Sequence, residues 1–233
     1  MQQHRKRLVV LSGAGISQES GLGTFRGSGG LWEGYDINEV ASIDGWYANP
    51  EKVLSFYNMR RTQAGQASPN GAHEAFAKLE EFYDVRVVTQ NIDDLHERAG
   101  STHVLHLHGQ LTQARSVSDE SVIVDIGYDE IHLGDKAPDG EQLRPNIVWF
   151  GEMVPMLERA AEEVMQADIL VVIGTSLVVY PAAGLVDYAR PGTEKYIVDP
   201  ATPELLDIRD WKHIQEKAVT GTQKLLEILI NVG

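Results

Sequence analysis

The chain has 233 residues, 42% of them apolar and 23% charged, which fits one globular domain or two small ones and excludes general disorder. Asp plus Glu number 34 against 20 Lys plus Arg, a formal charge of −14 that argues against nucleic acid or anionic membrane as partners, since both need a basic face. Cysteine is absent, excluding disulfides, thiolate nucleophiles and cysteine-ligated zinc.

The first seven residues lead straight into Leu8-Val-Val-Leu11, too short for a signal-peptide core. No run approaches the ~18 apolar residues of a membrane span, and a cytoplasmic location is expected. Leu8–Leu11, ended by Ser12-Gly13, reads as a buried parallel strand, and similar runs recur at Val85–Val88, Ile169–Ile173 and Tyr196–Val198. Helical periodicity covers 50–63, 72–82, 155–166 and 222–230, with Gly221 just ahead of the last. Strands alternating with helices predict an α/β fold with crossover helices.

Two stretches break that rhythm. Residues 24–67 are glycine-rich and then helical; residues 110–143 are polar and acidic, with a strand-like run at Val122–Ile126 and a turn at Pro138-Asp-Gly140. Both read as insertions that pack into a smaller domain (24–67 and 110–143) beside a main one (1–23, 68–109 and 144–233).

The polar clusters at the strand ends are the candidates for chemistry. Gly13-Ala-Gly15-Ile-Ser17, with Gly21, follows the first strand, where glycines and a helix start present N–H groups to a phosphate; a plain tight turn is the alternative. The spacing departs from the usual dinucleotide fingerprint, since Gln18 stands three after Gly15. Arg26 reads either as a pyrophosphate contact or as a surface ion pair. Gln90, Asn91 and Asp93 follow the strand at Val85 and suit a ligand beyond its carboxyl end, or an Asx turn with a helix cap. His106 and His108 alternate along a strand. Without cysteine or an obvious carboxylate partner a metal is disfavoured, and one histidine as general base beside one packed histidine is preferred. Asn146–Glu152 and Gly174-Thr-Ser176 complete the set.

Taken in order, Gly13-Ala-Gly-Ile-Ser-Gln-Glu-Ser-Gly21 with Thr24-Phe-Arg26, Thr89-Gln-Asn-Ile-Asp93, His108-Gly109, Val148-Trp-Phe-Gly-Glu152 and Gly174-Thr-Ser176 closely resemble the sirtuin family of NAD-dependent protein lysine deacylases. The resemblance implies a large Rossmann-like parallel-sheet domain and a small domain made by the two insertions, with NAD as co-substrate in the cleft between them. By residue match Gly13, Ala14, Gly15, Ser17, Glu19, Gly21, Phe25, Arg26, Trp32, Gln90, Asn91, Ile92, Asp93, His108, Gly174, Thr175, Ser176, Asp199 and Ala218 would face NAD. His108 would be the general base, Asn91 and Asp93 would hold nicotinamide, and Val148, Phe150, Gly151 and Glu152 would receive the peptide as an added strand. The implied chemistry is attack of the acyl oxygen on C1′ of the nicotinamide ribose, loss of nicotinamide, an alkylimidate, and transfer of the acyl group to ADP-ribose with release of free lysine. The partners implied are acylated lysine proteins or peptides, and a monomer is the family default. Use of the same site for ADP-ribosyl transfer or NAD hydrolysis is the alternative reading.

Two departures from the family stand out. The two Cys-x-x-Cys pairs that usually hold a structural zinc are missing from 110–143, so a zinc-free module packed around Val122, Ile123, Val124, Ile126 and Ile131 is expected. Asp199 stands where the family usually has Asn near the adenosine ribose. Tyr57 and Arg60, three apart, share a helix face. In desuccinylase-like members such a pair grips a distal carboxylate, so succinyl and malonyl removal is expected beside acetyl; a helix whose Arg60 and Arg61 face water is the bland alternative.

Overall fold

Four of the apolar runs lie side by side. In a computed structural model, which describes residues 5–23, 31, 32, 34–203 and 207–231, β1 (Arg7–Ser12) is flanked by β4 (Asp84–Thr89) and β9 (Ile169–Ile173), both parallel to it. The sheet continues through β5 (Val104–His106) on one side and β10 (Glu194–Val198) and β11 (Lys212–Ile214) on the other, in the order β11-β10-β9-β1-β4-β5. Leu8 and Val10 face a core shared with α4 (Gly71–Leu79) and α7 (Ala218–Asn231), while Val9 and Leu11 face one shared with α6 (Leu157–Met165). Helices cover both faces, so these strands need no polar alternation and appear as unbroken apolar runs.

The helix ends follow local chemistry. Asn49 accepts from Lys52 N at 3.0 Å, with Pro50 behind it, to start α3 (Pro50–Gln66). Asn70 accepts from Ala72 N at 2.9 Å while its own N–H donates to His73 Nδ1, starting α4. The last helix begins earlier than its periodicity suggests. Gly221 lies inside α7, because a Cβ there would sit 2.4 Å from the Val198 side chain; the glycine lets α7 rest directly on β10.

A third core stands apart from the sheet. It is built from α1 (Ile37–Val40), α2 (Ile43–Ala48) and α3, packed on β6 (Gly109–Ser116) and β8 (Leu143–Ile147), with Phe56, Tyr57 and Trp149 fully buried in it. β6 is central to a small antiparallel sheet with β7 (Ile123–Asp125) and β8 on its edges, a position that tolerates Pro145. Two short hairpin strands, β2 (Leu31–Trp32) and β3 (Tyr35–Asp36), and α5 (Leu95–Arg98) complete the described elements.

The second insertion is held differently from the expectation. Only Ile131 of the five apolar residues is fully buried, and Ile123 is exposed, because β7 is an edge strand with one face open. Hydrogen bonds take over the role. Asn58 donates to Ile131 O at 2.9 Å and accepts from Ile131 N at 3.0 Å, and Arg61 donates from Nε to Leu111 O at 2.7 Å. The Tyr128 hydroxyl donates to Asp94, next to α5. Arg60 and Arg61 are therefore both buried rather than facing water, and burial pulls Arg61 down to about 10. No group of three His, Asp or Glu among the described residues is arranged to hold a metal ion.

Candidate active site

The strand order reverses at β1, whose neighbours β4 and β9 leave in opposite directions, and a crevice opens beyond the carboxyl ends of all three. The loops that follow are stitched together there. Gln90 N donates to Ser12 O at 2.9 Å, Gly13 N to Ile173 O at 3.0 Å, and Gly15 N to Gly174 O at 2.8 Å. Gly15 and Gly174 must be glycine for this approach: a Cβ on Gly15 would lie 2.6 Å from Gly174 Cα, and Gly174 sits at φ +62°. The crevice widens into a cavity of about 600 Å³ between the large sheet and the third core.

After β1 the chain makes two 3₁₀ turns, Ala14–Ile16 and Gln18–Ser20, instead of the helix expected there. A helix dipole is thus a minor factor. What the loops offer are bare N–H groups: those of Ala14, Thr175 and Ser176 line the cavity and donate to no described main-chain acceptor. Three convergent N–H groups suit a phosphate or pyrophosphate.

Deeper in, Asn91 and Asp93 form a polar floor. The Ser17 hydroxyl donates to Asp93 Oδ2 at 3.0 Å and accepts from Asn91 Nδ2 at 3.1 Å, and Leu95 N donates to Asp93 Oδ1. Burial, opposed by these hydrogen bonds, pushes the Asp93 carboxyl above its usual range. The N–H groups of Ile92 and Asp93 donate to no described acceptor. A carboxyl acceptor beside two open donors is the complement of a primary carboxamide.

His108 stands beside this floor in the two-residue turn between β5 and β6, rather than on a strand with His106 as the alternation suggests. Its Nδ1 lies 3.1 Å from Gln90 O, and since a carbonyl only accepts, Nδ1 carries the proton and Nε2 keeps its lone pair. Burial lowers its pKa below the usual histidine value, against the opposing Gln90 bond, so the ring is a neutral base at neutral pH. His106 has the other fate. Its Nδ1 faces Asn91 O at 2.9 Å and its Nε2 faces Glu97 at 2.7 Å. Burial disfavours its charge, but the Glu97 bond and field outweigh this and raise its pKa. His106 thus buttresses the loop that carries Asn91, and does not line the cavity.

The opposite wall belongs to the third core. Tyr57, Arg60 and Trp32 line it, and Arg60 sits over the Trp32 ring at 5.1 Å. The Trp149 indole N–H donates to the Tyr57 oxygen at 2.9 Å, so the Tyr57 hydrogen remains for another acceptor. Burial raises the Tyr57 pKa far above the usual phenol range, keeping it a neutral donor.

Not every expected residue lies where the pattern suggests. Val148, Phe150, Gly151 and Glu152 all line the cavity, but Val148 N is taken by His108 O and Phe150 N by Ala41 O. The N–H groups of Gly151 and Met153 are open among the described residues. Both Glu152 oxygens are engaged by Arg144, Arg115 and Trp149 N, because two buried guanidiniums require a counter-charge. Glu152 thus holds the loop. Glu19, Gly21, Asp199 and Ala218 are outside the cavity lining; Glu19 accepts from Val219 N beside Ala218, and Asp199 follows Val198, whose carbonyl accepts from Gly174 N. Phe25 and Arg26 lie outside the described residues. Sequence reasoning missed Val178–Pro181, which forms a further wall with Val178 and Tyr180 exposed at the mouth; apolar residues directly after a strand-end Gly-Thr-Ser were the available signal.

Below the floor, His73 and His96 stack edge to face at 4.9 Å, both fully buried and both kept neutral by burial, His73 at about 4 and His96 well below 6.5. Their folded values lie below the unfolded one, so the unfolded chain binds more protons between 6.5 and 4 and stability falls as pH falls through that window. His106 acts in the opposite sense, with a contribution present below 6.5 and lost above its raised pKa. His73 alone accounts for about 3 kcal/mol by pH 4. The urea midpoint is expected to drop between pH 7 and pH 4.5, with a shallower decline in His73→Gln.

The model of the Sir2 family matches residues 13–181. A protein of Helicobacter pylori strain J99 named NAD-dependent protein deacylase is 52% identical over 228 residues, covering 98% of this chain and 97% of its own length. A protein of the same name from Bacteroides thetaiotaomicron is 48% identical, over 97% of this chain and 98% of its own. Among solved structures, a Sir2 homolog–NAD complex superposes with a TM-score of 0.87 at 40% identity, covering 98% of this chain and 91% of that one. A complex titled Sir2–p53 peptide–NAD+ does so at 0.80 and 34% identity, covering 97% and 95%.

Proposed function

We infer that this chain, which belongs to the Sir2 family, is an NAD-dependent protein deacylase whose reaction takes place in the cavity between the parallel sheet and the third core. The observation that carries the assignment of the site is His108, a neutral base whose free Nε2 stands beside the Asn91–Asp93 floor. The frame is a Rossmann-like body that carries the six-stranded sheet and a smaller body that carries the third core; β8 and Trp149 pack in the smaller body, so its second segment reaches past residue 143, where the sequence pattern ends it.

The open N–H groups of Ala14, Thr175 and Ser176 would hold the pyrophosphate of NAD, and the carboxamide-shaped floor would hold nicotinamide. Gln90, whose Nε2 donates to Thr175 Oγ1 at 3.2 Å, ties the two loops together. Once bound, NAD supplies an electrophilic ribose carbon and accepts the acyl group. Asn91 and Asp93 orient the ring, and His108 Nε2 takes the proton from the ribose hydroxyl that must become nucleophilic. The apolar walls exclude water. An extended peptide would pair with the open N–H groups of Gly151 and Met153 on one side and with those of Val178–Tyr180 on the other, with its acyl-lysine reaching inward.

The acyl-binding wall fits a distal carboxylate. Tyr57 has a hydroxyl hydrogen to give and Arg60 lines the same wall, a pair that suits succinyl or malonyl ends. Arg60→Met is expected to lower desuccinylation about ten- to a hundredfold while deacetylation changes far less. Equal loss of both would reject the clamp.

The deciding test is mass spectrometry of one lysine peptide carrying acetyl, malonyl or succinyl groups, with and without NAD. Removal of succinyl and malonyl ahead of acetyl supports the whole reading. Removal of acetyl alone retains the deacylase and discards the clamp; NAD-dependent removal of none rejects deacylation at this site.

A further inference from the structure

A second cavity, of about 590 Å³, lies along β5, between α6 and the small antiparallel sheet. One side of it is the open edge of the six-stranded sheet, since among the described residues β5 has no neighbour besides β4. Val87 N donates to His103 O and Leu107 N to Thr89 O, with Val87 opposite Val104. In a parallel ladder alternate residues face the partner, so Val104 and His106 turn their N–H and C=O groups outward, into the groove. No described main-chain group meets them there. Edge strands are commonly blunted by overlying chain; this one keeps room for an extended segment of about four residues at roughly 3.3 Å each.

The groove also holds one exposed cation, Arg159, with no counter-charge of its own among the described residues. Arg86, Arg115 and Arg159 line it in a chain whose net charge is −14. Of its two acids, Glu120 is paired with Arg115 and Glu163 with Arg7; Arg115 is also paired with Glu152 and Arg86 with Asp84, which leaves Arg159 as the cation open to a ligand. Arg115 is 5% exposed and its Nε has no hydrogen-bond partner, while Arg159 is exposed and has no ion pair among the described residues. Met156 and Ile123 supply apolar contacts.

We propose that this groove docks an extended acidic segment of a partner protein, added as a strand to β5 through the outward main-chain groups of Val104 and His106. The site is distinct from the acyl-peptide wall, and its occupation requires neither NAD nor an acyl group.

The test uses the full chain without NAD and three fluorescein-labelled hexapeptides. One alternates glutamate and valine, one alternates lysine and valine, and one is the glutamate peptide with alternate amides N-methylated. Fluorescence anisotropy gives affinity, and hydrogen exchange reports the Val104 and His106 amides. The glutamate peptide is expected to bind and to protect both amides, with at least about tenfold weaker binding for the lysine peptide, for the N-methylated peptide, and for the glutamate peptide on Arg159→Glu. Arg159→Glu is expected to leave deacylation of a short acyl-peptide unchanged, separating the groove from the catalytic cavity. Absence of protection at millimolar glutamate peptide overturns the proposal, as does equal binding of all three peptides.

Discussion

Replacing His108 with alanine is expected to lower NAD-dependent deacylation by about two to four orders of magnitude, the usual worth of a positioned general base. The side chain bears no ion pair, and its one described bond is to the Gln90 carbonyl. The fold and the loops at Ala14 and Thr175 should survive, so thermal melting and NAD binding are expected to change little while turnover collapses. The pH profile offers a second check. Burial holds the His108 pKa below 6.5, so activity should rise with pH along a limb centred below that value and stay level through neutrality. An acid limb centred above 7 would show that a different group acts as the base.

The largest expected loss of stability follows removal of Arg144. Its guanidinium is 5% exposed, bonds Glu152 through two nitrogens at 2.7 and 3.0 Å, donates to Ile147 O at 3.1 Å, and stacks over the Trp149 ring at 3.5 Å. Desolvation lowers the Arg144 pKa, opposed by Glu152; burial raises the Glu152 carboxyl, but Arg144 and Trp149 N more than offset this and hold it below its usual value. Breaking one side of such a buried pair typically costs 3–5 kcal/mol, and Arg115, still 3.1 Å from Glu152, should keep Arg144→Met near about 3 kcal/mol. For a chain of this size that is about 6–12 °C in Tm. Glu152→Gln should cost less in the Arg144→Met background than alone, because the carboxylate has already lost one of its two guanidinium partners, and a double-mutant cycle measures that coupling. Losses that simply add would mean the pair does not hold the loop.

The same network shows why Glu152 was hard to read. In the run Val148–Glu152 it looks like one more polar residue offered to a ligand. Its actual partners, Arg115 and Arg144, lie 37 and 8 residues away, and nothing local announces that both are buried. Arg60 and Arg61 pose the mirror problem. Two arginines on a helix ordinarily face water; Asn58, one turn back on the same helix, is a local partner for Arg61, but only the placement of α3 against β6 puts Leu111 O within its reach. In the second insertion the apolar count suggested a small core, but an edge strand exposes one of its faces, leaving Asn58 and Tyr128 to fasten the segment.

The parallel strands were legible because a strand covered on both faces is apolar at every position, a pattern local to each run. The strand-end clusters were legible because glycines, amides and acids at the carboxyl ends of such strands fall beside one another wherever the sheet order reverses. Their sirtuin-like order carried the family, and the family carried the reaction. By itself the sequence thus determined the α/β class and the loops that meet at the crevice, and its family resemblance singled out His108 as the proposed base. Only the tertiary structure decided which polar groups face the cavity and which are consumed by one another: His106 on Glu97, Glu152 on two arginines, Arg61 on a carbonyl of β6. It also decided that β5 keeps an open edge among the described residues. Local patterns set what a residue is able to do; whether it is free to do it depends on burial and charge supplied by segments far away in the chain.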